Sequence, residues 1–435
     1  MKLRLLPLLM SALGALTIPP VVARADLPDA DAMAAIVAHV DTNQEQAFAL
    51  LERAVNINSG TFNAAGVRRA GDLFRAEFDT LGFQTEWVDG SPFGRAGHLL
   101  AQHGDHGPRI LLIGHLDTVF ELDSPFQKFA RDGYIAHGPG TSDMKGGIVV
   151  ALSALRALAA VDALKALRVT VVLTGDEEDA GEPVSLARAA LIQAAAESDI
   201  ALGLENADDN PATAVTARRS STSWTLNVKA PSAHSSQIFR AQVGSGAIFE
   251  TARILQAFHT QLGGEEFLTF NPGLILGGAQ VEFAPAQLSG RAAGKGNIIP
   301  PEAVVIGDLR AISTEQRDRA RRHMQEIVAA HLPLASAEIS FQDGYPPLSP
   351  TAGNQKLLGL YDQVSRDLGF GAVTAVDPRD AGAADISFIG AQVNMALDGL
   401  GLLGGGNHTE QEFADLRTFR IQTQRLALLL YRLSQ

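Results

Sequence analysis

Arg109-Ile110-Leu111-Leu112-Ile113-Gly114 runs straight into His115-Leu116-Asp117. A short unbroken apolar run of this kind reads as a strand buried on both faces. It ends, without an intervening turn, in a histidine and an aspartate. The pattern recurs at Arg168 to Thr174 (RVTVVLT), which leads into Asp176-Glu177-Glu178-Asp179. Between the two, Lys145 to Val161 is rich in Ala and Leu at helical spacing and starts after the breakers Gly138, Pro139 and Gly140. Buried strand, helix, buried strand predicts an α/β fold with a mainly parallel sheet covered by helices. In such sheets ligands gather beyond the carboxyl ends of the strands, so the two polar clusters mark where a site belongs.

The rhythm changes from about Ser223. Ser223 to Lys229 alternates as a strand, Gln242 to Leu262 has helical spacing, Leu274 to Phe283 and Val304 to Leu309 read as strands, Thr314 to His331 as a helix and Ala335 to Phe341 as a strand. The order β-α-β-β-α-β is that of a ferredoxin-like α+β unit. With α/β material on both sides it reads as an insertion, residues 223–342, between a first part at 26–222 and a second part at 343–435. Tyr345-Pro346-Pro347-Leu348-Ser349-Pro350 is the expected return linker, and Arg218 and Arg219 read as hinge or surface residues.

The N-terminus predicts the compartment. Lys2 and Arg4 precede the apolar run Leu5 to Ile18, and Ala23-Arg24-Ala25 closes the stretch before Asp26. This is the form of a cleaved signal peptide over residues 1–25. The run is too short, and too broken by proline, for the ~20 residues of a spanning helix. A periplasmic or secreted protein, free of the membrane after cleavage, is the expectation.

Composition narrows the chemistry. The 435 residues carry 35 basic and 48 acidic side chains, a net charge of −13, which argues against a nucleic-acid partner. There is no cysteine, so disulfides, thiolate metal sites and cysteine nucleophiles are excluded and any metal must be held by His, Asp and Glu.

The strand-end residues form one set. His115 and Asp117 leave a strand on alternate positions, so the carboxylate can orient the imidazole. Asp143 stands between the turn Gly138-Pro139-Gly140-Thr141-Ser142 and the helix that begins at Lys145. Glu177 and Glu178 are consecutive acids whose side chains point apart and can take different tasks. Glu205 ends the apolar run Ile200 to Leu204, and His408 sits in Gly404-Gly405-Gly406-Asn407-His408. Each alone is an ordinary surface residue, but two histidines and three carboxylates at strand ends fit a two-metal hydrolytic site. Two Zn²⁺ would be offset by Asp143, Glu178, Glu205 and one hydroxide, leaving about zero net charge, as buried ions require.

The runs Gly114-His115-Leu116-Asp117-Thr118-Val119, Gly138-Pro139-Gly140-Thr141-Ser142-Asp143-Met144-Lys145-Gly146-Gly147, Thr174-Gly175-Asp176-Glu177-Glu178 and Asn407-His408 resemble the co-catalytic zinc peptidases of the M20 family, nearest the glutamate carboxypeptidase-like members of the carboxypeptidase G group. The resemblance covers the chain after residue 25. It implies a zinc-peptidase catalytic domain and an inserted lid that also forms a homodimer. It further implies two Zn²⁺ per subunit, with Asp143 bridging, His115 and Glu205 on one ion, and Glu178 and His408 on the other. Glu177 would be the general base and Asp117 the residue that orients His115. His234, in Ala230-Pro231-Ser232-Ala233-His234-Ser235, resembles the histidine that crosses the dimer to the oxyanion, and Asn297 and Arg310 match positions that bind the substrate and its carboxylate. Arg379 joins them as a further carboxylate contact. The family pattern also implies a cis peptide bond at Asp143-Met144. One departure is Gly382-Ala383-Ala384-Asp385, where Ala384 stands in place of a hydroxyl residue.

Other chemistries fall away. Gly399 to Gly404 matches a dinucleotide fingerprint in form, yet more glycine and His408 follow it, with no helix to receive a phosphate. No serine lies in a Gly-x-Ser-x-Gly elbow. The expected substrate is a small peptide or an N-acyl amino acid with a free carboxylate. The function read from the chain is removal of a C-terminal amino acid, with N-acyl-amino-acid deacylation as the alternative. A non-catalytic capture protein has no need of Glu177.

Overall fold

The computed structural model describes residues 30–206 and 208–435. The expected signal peptide lies outside the described residues.

The first sheet is built from β1 (Gln84–Asp89), β2 (Gly97–His103), β3 (Arg109–His115), β4 (Arg168–Thr174), β5 (Ile200–Gly203) and the short strand Met395–Leu397. Their spatial order is β1, β2, β4, β3, β5, Met395–Leu397. β3 runs parallel to β4 and to β5, and β5 parallel to Met395–Leu397. The two strands at the other edge, β1 and β2, are antiparallel. β3 is buried from Ile110 to His115 and β4 from Val169 to Thr174, because helices cover both faces. The helix α1 (Lys145–Ala160) is buried on nearly every side, as its Ala, Leu and Val content requires. It packs between β3 and the outer helices Gln44–Val55 and Leu416–Leu433. Register then places the chemistry: His115 pairs with Thr174 and Ile113 with Gly203, so the three strands end at one edge of the sheet. The residues just beyond, Asp117, Asp176 to Glu178 and Glu205, leave the sheet side by side.

The second sheet contains β6 (Thr222–Lys229), β7 (Thr269–Gly278), β10 (Glu302–Arg310) and β11 (Ser336–Asp343), all antiparallel in the order β7, β10, β6, β11. Its inner face and the helices α2 (Gly246–Leu262) and α3 (Thr314–Ala329) close a separate apolar core around Trp224, Leu226, Ile254, Phe258 and Met324. The strand expected over Leu274 to Phe283 divides. β7 ends at Gly278, and Gln280–Ala284 (β8) turns back on Ser289–Ala293 (β9) as a two-stranded ribbon of its own. Apolar residues continue across Gly277 and Gly278, so periodicity carries no sign of the break; a Cβ at Gly278 would come within 2.7 Å of the Ala293 carbonyl. α2 begins at Gly246 instead of Gln242, after Gly244 at φ +76°.

The chain crosses between the sheets twice, and the crossings pair. Ser221 N–H donates to Tyr345 O at 2.9 Å and Gly344 N–H to Ser221 O at 3.0 Å, while Arg218 and Leu348 exchange both backbone bonds at 3.0 Å. Among the described residues no helix is long and apolar enough to cross a membrane.

Candidate metal centre

Five of the predicted residues meet at the shared strand edge. His115 Nε2 lies 3.2 Å from Asp143 Oδ1 and 3.4 Å from Glu205 Oε1. His408 Nε2 lies 3.2 Å from Asp143 Oδ2 and 3.1 Å from Glu178 Oε2. The two oxygens of one carboxylate thus face two separate imidazole–glutamate pairs. The Asp143–Met144 peptide bond is cis, as the family pattern implies.

Asp117 does more than orient a ring. Its backbone carbonyl hydrogen-bonds His115 Nδ1 at 3.1 Å, and its carboxylate is fully buried 3.3 Å from the same nitrogen. The two carboxylate oxygens accept the backbone N–H of Glu177 and of Glu178, each at 3.1 Å, and the hydroxyl of Thr61 at 2.7 Å. One residue therefore fixes the imidazole, by its carbonyl and carboxylate, and the turn that carries the paired glutamates, by its carboxylate.

Burial and mutual charge set the protonation of the cluster. Burial, then the charges of Glu205, Asp385 and Glu178, push the Glu177 carboxyl well above the ordinary carboxylate range against the opposing pull of His115. Burial pushes Glu178 up to about 7. Hydrogen bonds donated to the Asp143 and Glu178 carboxylates raise His408 to about 11. Acids and imidazoles packed this closely form a donor set whose charge a bound cation would balance. A tetrahedral ion with bonds of about 2.0–2.1 Å to nitrogen and oxygen holds its donors roughly 3.3 Å apart, and the four imidazole–carboxylate distances of 3.2, 3.4, 3.2 and 3.1 Å match that edge. The donor sets His115–Asp143–Glu205 and Asp143–Glu178–His408 could each hold an ion. Beside them opens a cavity of about 260 Å³ lined by Asp143, Glu177, Glu205, Arg218 and His408. A wider cleft of about 600 Å³ at Gln84, His103 and Arg168 lies at the other end of the strands and has no comparable group of acids.

Four predicted residues stand apart from this cluster. His234 pairs by backbone with Ile298, and Ser235 N–H donates to Asn297 O at 2.8 Å, so His234 and Asn297 are neighbours on the second sheet's side. Arg310 Nε donates to Asp308 at 2.8 Å. Arg379 lies over the Phe267 ring at 5.5 Å and 3.5 Å from Asp377. None of the four hydrogen-bonds or ion-pairs with the imidazole–carboxylate cluster within one chain. The charges of Arg310 and Arg379 are both felt at Arg219, which gathers three guanidinium groups near the crossings.

Several residues at the site were not read from the sequence. Arg218, expected at a hinge or surface, is buried and paired at 2.9 Å with the enclosed Asp398, which is what brings it to the cavity wall. Glu412 is buried and accepts the backbone N–H of Gly140, Ser142 and Asp143 at 3.2, 3.0 and 3.2 Å, so it shapes the turn that presents Asp143. Arg188 is fully buried and bridges Asp176 and Asp385 at 2.7 Å each. A lone arginine in the apolar stretch Ser185-Leu186-Ala187-Arg188-Ala189-Ala190-Leu191 was the available signal. Ala384 packs in an apolar cluster with Leu111 and Ile386, and the adjacent Asp385 accepts from Thr174 Oγ1 at 2.6 Å.

A mainly parallel α/β sheet whose strand ends carry two donor sets sharing one aspartate defines a class of hydrolases built around a pair of metal ions. Residues 111–432 match the family described as Peptidase family M20/M25/M40, and the chain belongs to that family. It is an enzyme of the peptidase and amidohydrolase kind. It is 26% identical over 374 residues to carboxypeptidase G2 of Pseudomonas sp. (strain RS-16), covering 84% of each chain. It is 27% identical over 331 residues to succinyl-diaminopimelate desuccinylase of Xanthomonas oryzae pv. oryzae (strain MAFF 311018), covering 73% of this chain and 81% of the relative. Its fold is similar to that of Bacillus subtilis YXEP protein, a dinuclear metal-binding peptidase of the M20 family, with a TM-score of 0.59 and 14% identity over 90% of this chain and 98% of that one.

Proposed function

We propose that this enzyme is an exported di-zinc carboxypeptidase that hydrolyses the amide bond to a C-terminal amino acid, glutamate being the favoured residue. The observation that carries the reading is Asp143, whose two oxygens face two imidazole–glutamate pairs beside a cavity that Glu177 also lines. His115 and Glu205 would hold one ion, Glu178 and His408 the other, with Asp143 shared. Bound zinc supplies Lewis acidity, acidifying a water and polarising the amide carbonyl. Glu177 then takes the proton of the attacking water and delivers it to the leaving amine. Asp117 keeps His115 and the Glu177–Glu178 turn in place while this happens.

The remaining tasks fall to residues on the second sheet's side and to Arg379 in the returning segment. Asn297, Arg310 and Arg379 would receive the substrate and its free carboxylate, for which a planar guanidinium is suited. His234 would reach the oxyanion of a partner subunit. Support for a homodimer comes from β7, an edge strand, and from Ile248, Phe249 and Ile275 close by, which are 47%, 53% and 56% exposed. Support for export is the form of residues 1–25. The likeness to a desuccinylase favours one alternative, removal of an acyl group from an N-acyl amino acid on the same machinery.

The reading predicts that Glu177→Ala keeps two ions per chain and loses at least ~100-fold in turnover, the range of general-base effects. Mixing Glu177→Ala with inactive His234→Ala protein restores part of the activity, because a mixed dimer rebuilds one complete site. Wild-type turnover in Glu177→Ala removes the base, and no rescue after verified subunit exchange removes the shared site.

A further inference from the structure

Glu177 and Glu178 lie on a turn outside any helix or strand, so their backbone groups have no ladder to bond to and must find other partners. The partners are side chains. Asp117 accepts the N–H of Glu177 and of Glu178 at 3.1 Å each. Arg188 Nη2 donates to Asp176 O at 3.0 Å, and the Tyr345 hydroxyl donates to Glu177 O at 2.6 Å. The peptide unit between the two glutamates is thus held at its carbonyl by Tyr345 and at its N–H by Asp117. Tyr345 is itself fixed: its hydroxyl accepts from Arg188 Nη2 at 3.3 Å, its ring packs on Phe388 with centroids 5.0 Å apart, and its carbonyl accepts from Ser221. Burial, then the charges of Glu177 and Asp385, keep its proton in place by pushing the phenol well above its ordinary range.

We infer that Tyr345 is a positioning residue for the general base. By clamping the Glu177 carbonyl it sets the plane of the peptide that aims Glu177 one way and Glu178 the other. The inference rests on the reading of Glu177 as the base. It assigns a task to a residue that, from sequence, belongs only to the return linker. A misplacement of about 1 Å at a reacting group can cost on the order of 100-fold in rate, so loss of one clamp reaches catalysis without dismantling the site.

Tyr345→Phe tests this, because it removes one hydroxyl and keeps the ring on Phe388. The expected result is a kcat about tenfold lower or more, a KM within twofold of wild type and full metal content. Amide exchange across Gly175 to Glu178 should rise at least tenfold, in metal-loaded and in chelated protein alike, while exchange in β4 is unchanged. Unchanged kcat overturns the inference. So does a fall in kcat without faster exchange in the turn, or one that follows loss of metal or faster exchange in β4. Glu177→Ala on the same substrate is the control: if it keeps turnover, the base reading fails, and the exchange measurement alone decides whether Tyr345 holds the turn.

Discussion

Arg188 has no contact with solvent and two carboxylates for partners, Asp176 and Asp385. Replacing it by methionine keeps most of its bulk and leaves both acids buried without their cation, a change that costs about 3–5 kcal/mol. Burial already raises Asp176 with the guanidinium in place, and its removal drives the carboxyl further up. An acid whose folded pKa is raised binds more protons folded than unfolded, so its stability contribution falls as pH rises. Urea unfolding of chelated wild-type and Arg188→Met protein should therefore show a deficit that is larger at pH 8 than at pH 5; a deficit independent of pH contradicts this account. The contrast with Asp143 shows what single residues disclose. Asp143 is legible because it stands between a glycine turn and a helix, in a run with family form. Glu412 and Tyr345 act on backbone groups, and Arg188 on the Asp385 carboxylate, far away in sequence, at separations that no local pattern encodes.

At the level of elements, β3, β4 and α1 are read almost to the residue because each is buried along most of its length and therefore mostly apolar. The edge strand β1 and the ribbon of β8 and β9 are not, since β1 and β8 are part-exposed and share their patterns with many alternatives while β9 buries nothing. The ribbon offers a test of how independent these pieces are. β9 is exposed along its whole length, and a Cβ on Gly294 would lie 3.9 Å from the Gly278 Cα, so the chain ends that flank the ribbon are adjacent. Deleting residues 280–293, which leaves Gly278-Ala279-Gly294 as the connection, should lower Tm by less than about 5 °C, a loss of no more than one or two kcal/mol. Loss of a cooperative transition would mean that the ribbon is part of the second core.

For the molecule as a whole, a charge of −13 does not set what it binds. Charges separated by more than about 8 Å are largely screened at physiological salt, so an anionic substrate answers to its neighbours. On the proposed reading those are Arg310 and Arg379, with the metal ions that Asp143 and its partners would hold. The absence of cysteine belongs to the same design, a centre built from imidazole and carboxylate alone. The central claim, that this centre cuts the amide bond to a C-terminal amino acid, is tested most directly by product release from zinc-loaded protein. The substrates are dipeptides ending in glutamate, aspartate or a neutral residue, set beside N-acetyl amino acids. Faster release from the dipeptides, with glutamate foremost, is the predicted result, and acetyl substrates turned over faster by orders of magnitude would contradict it.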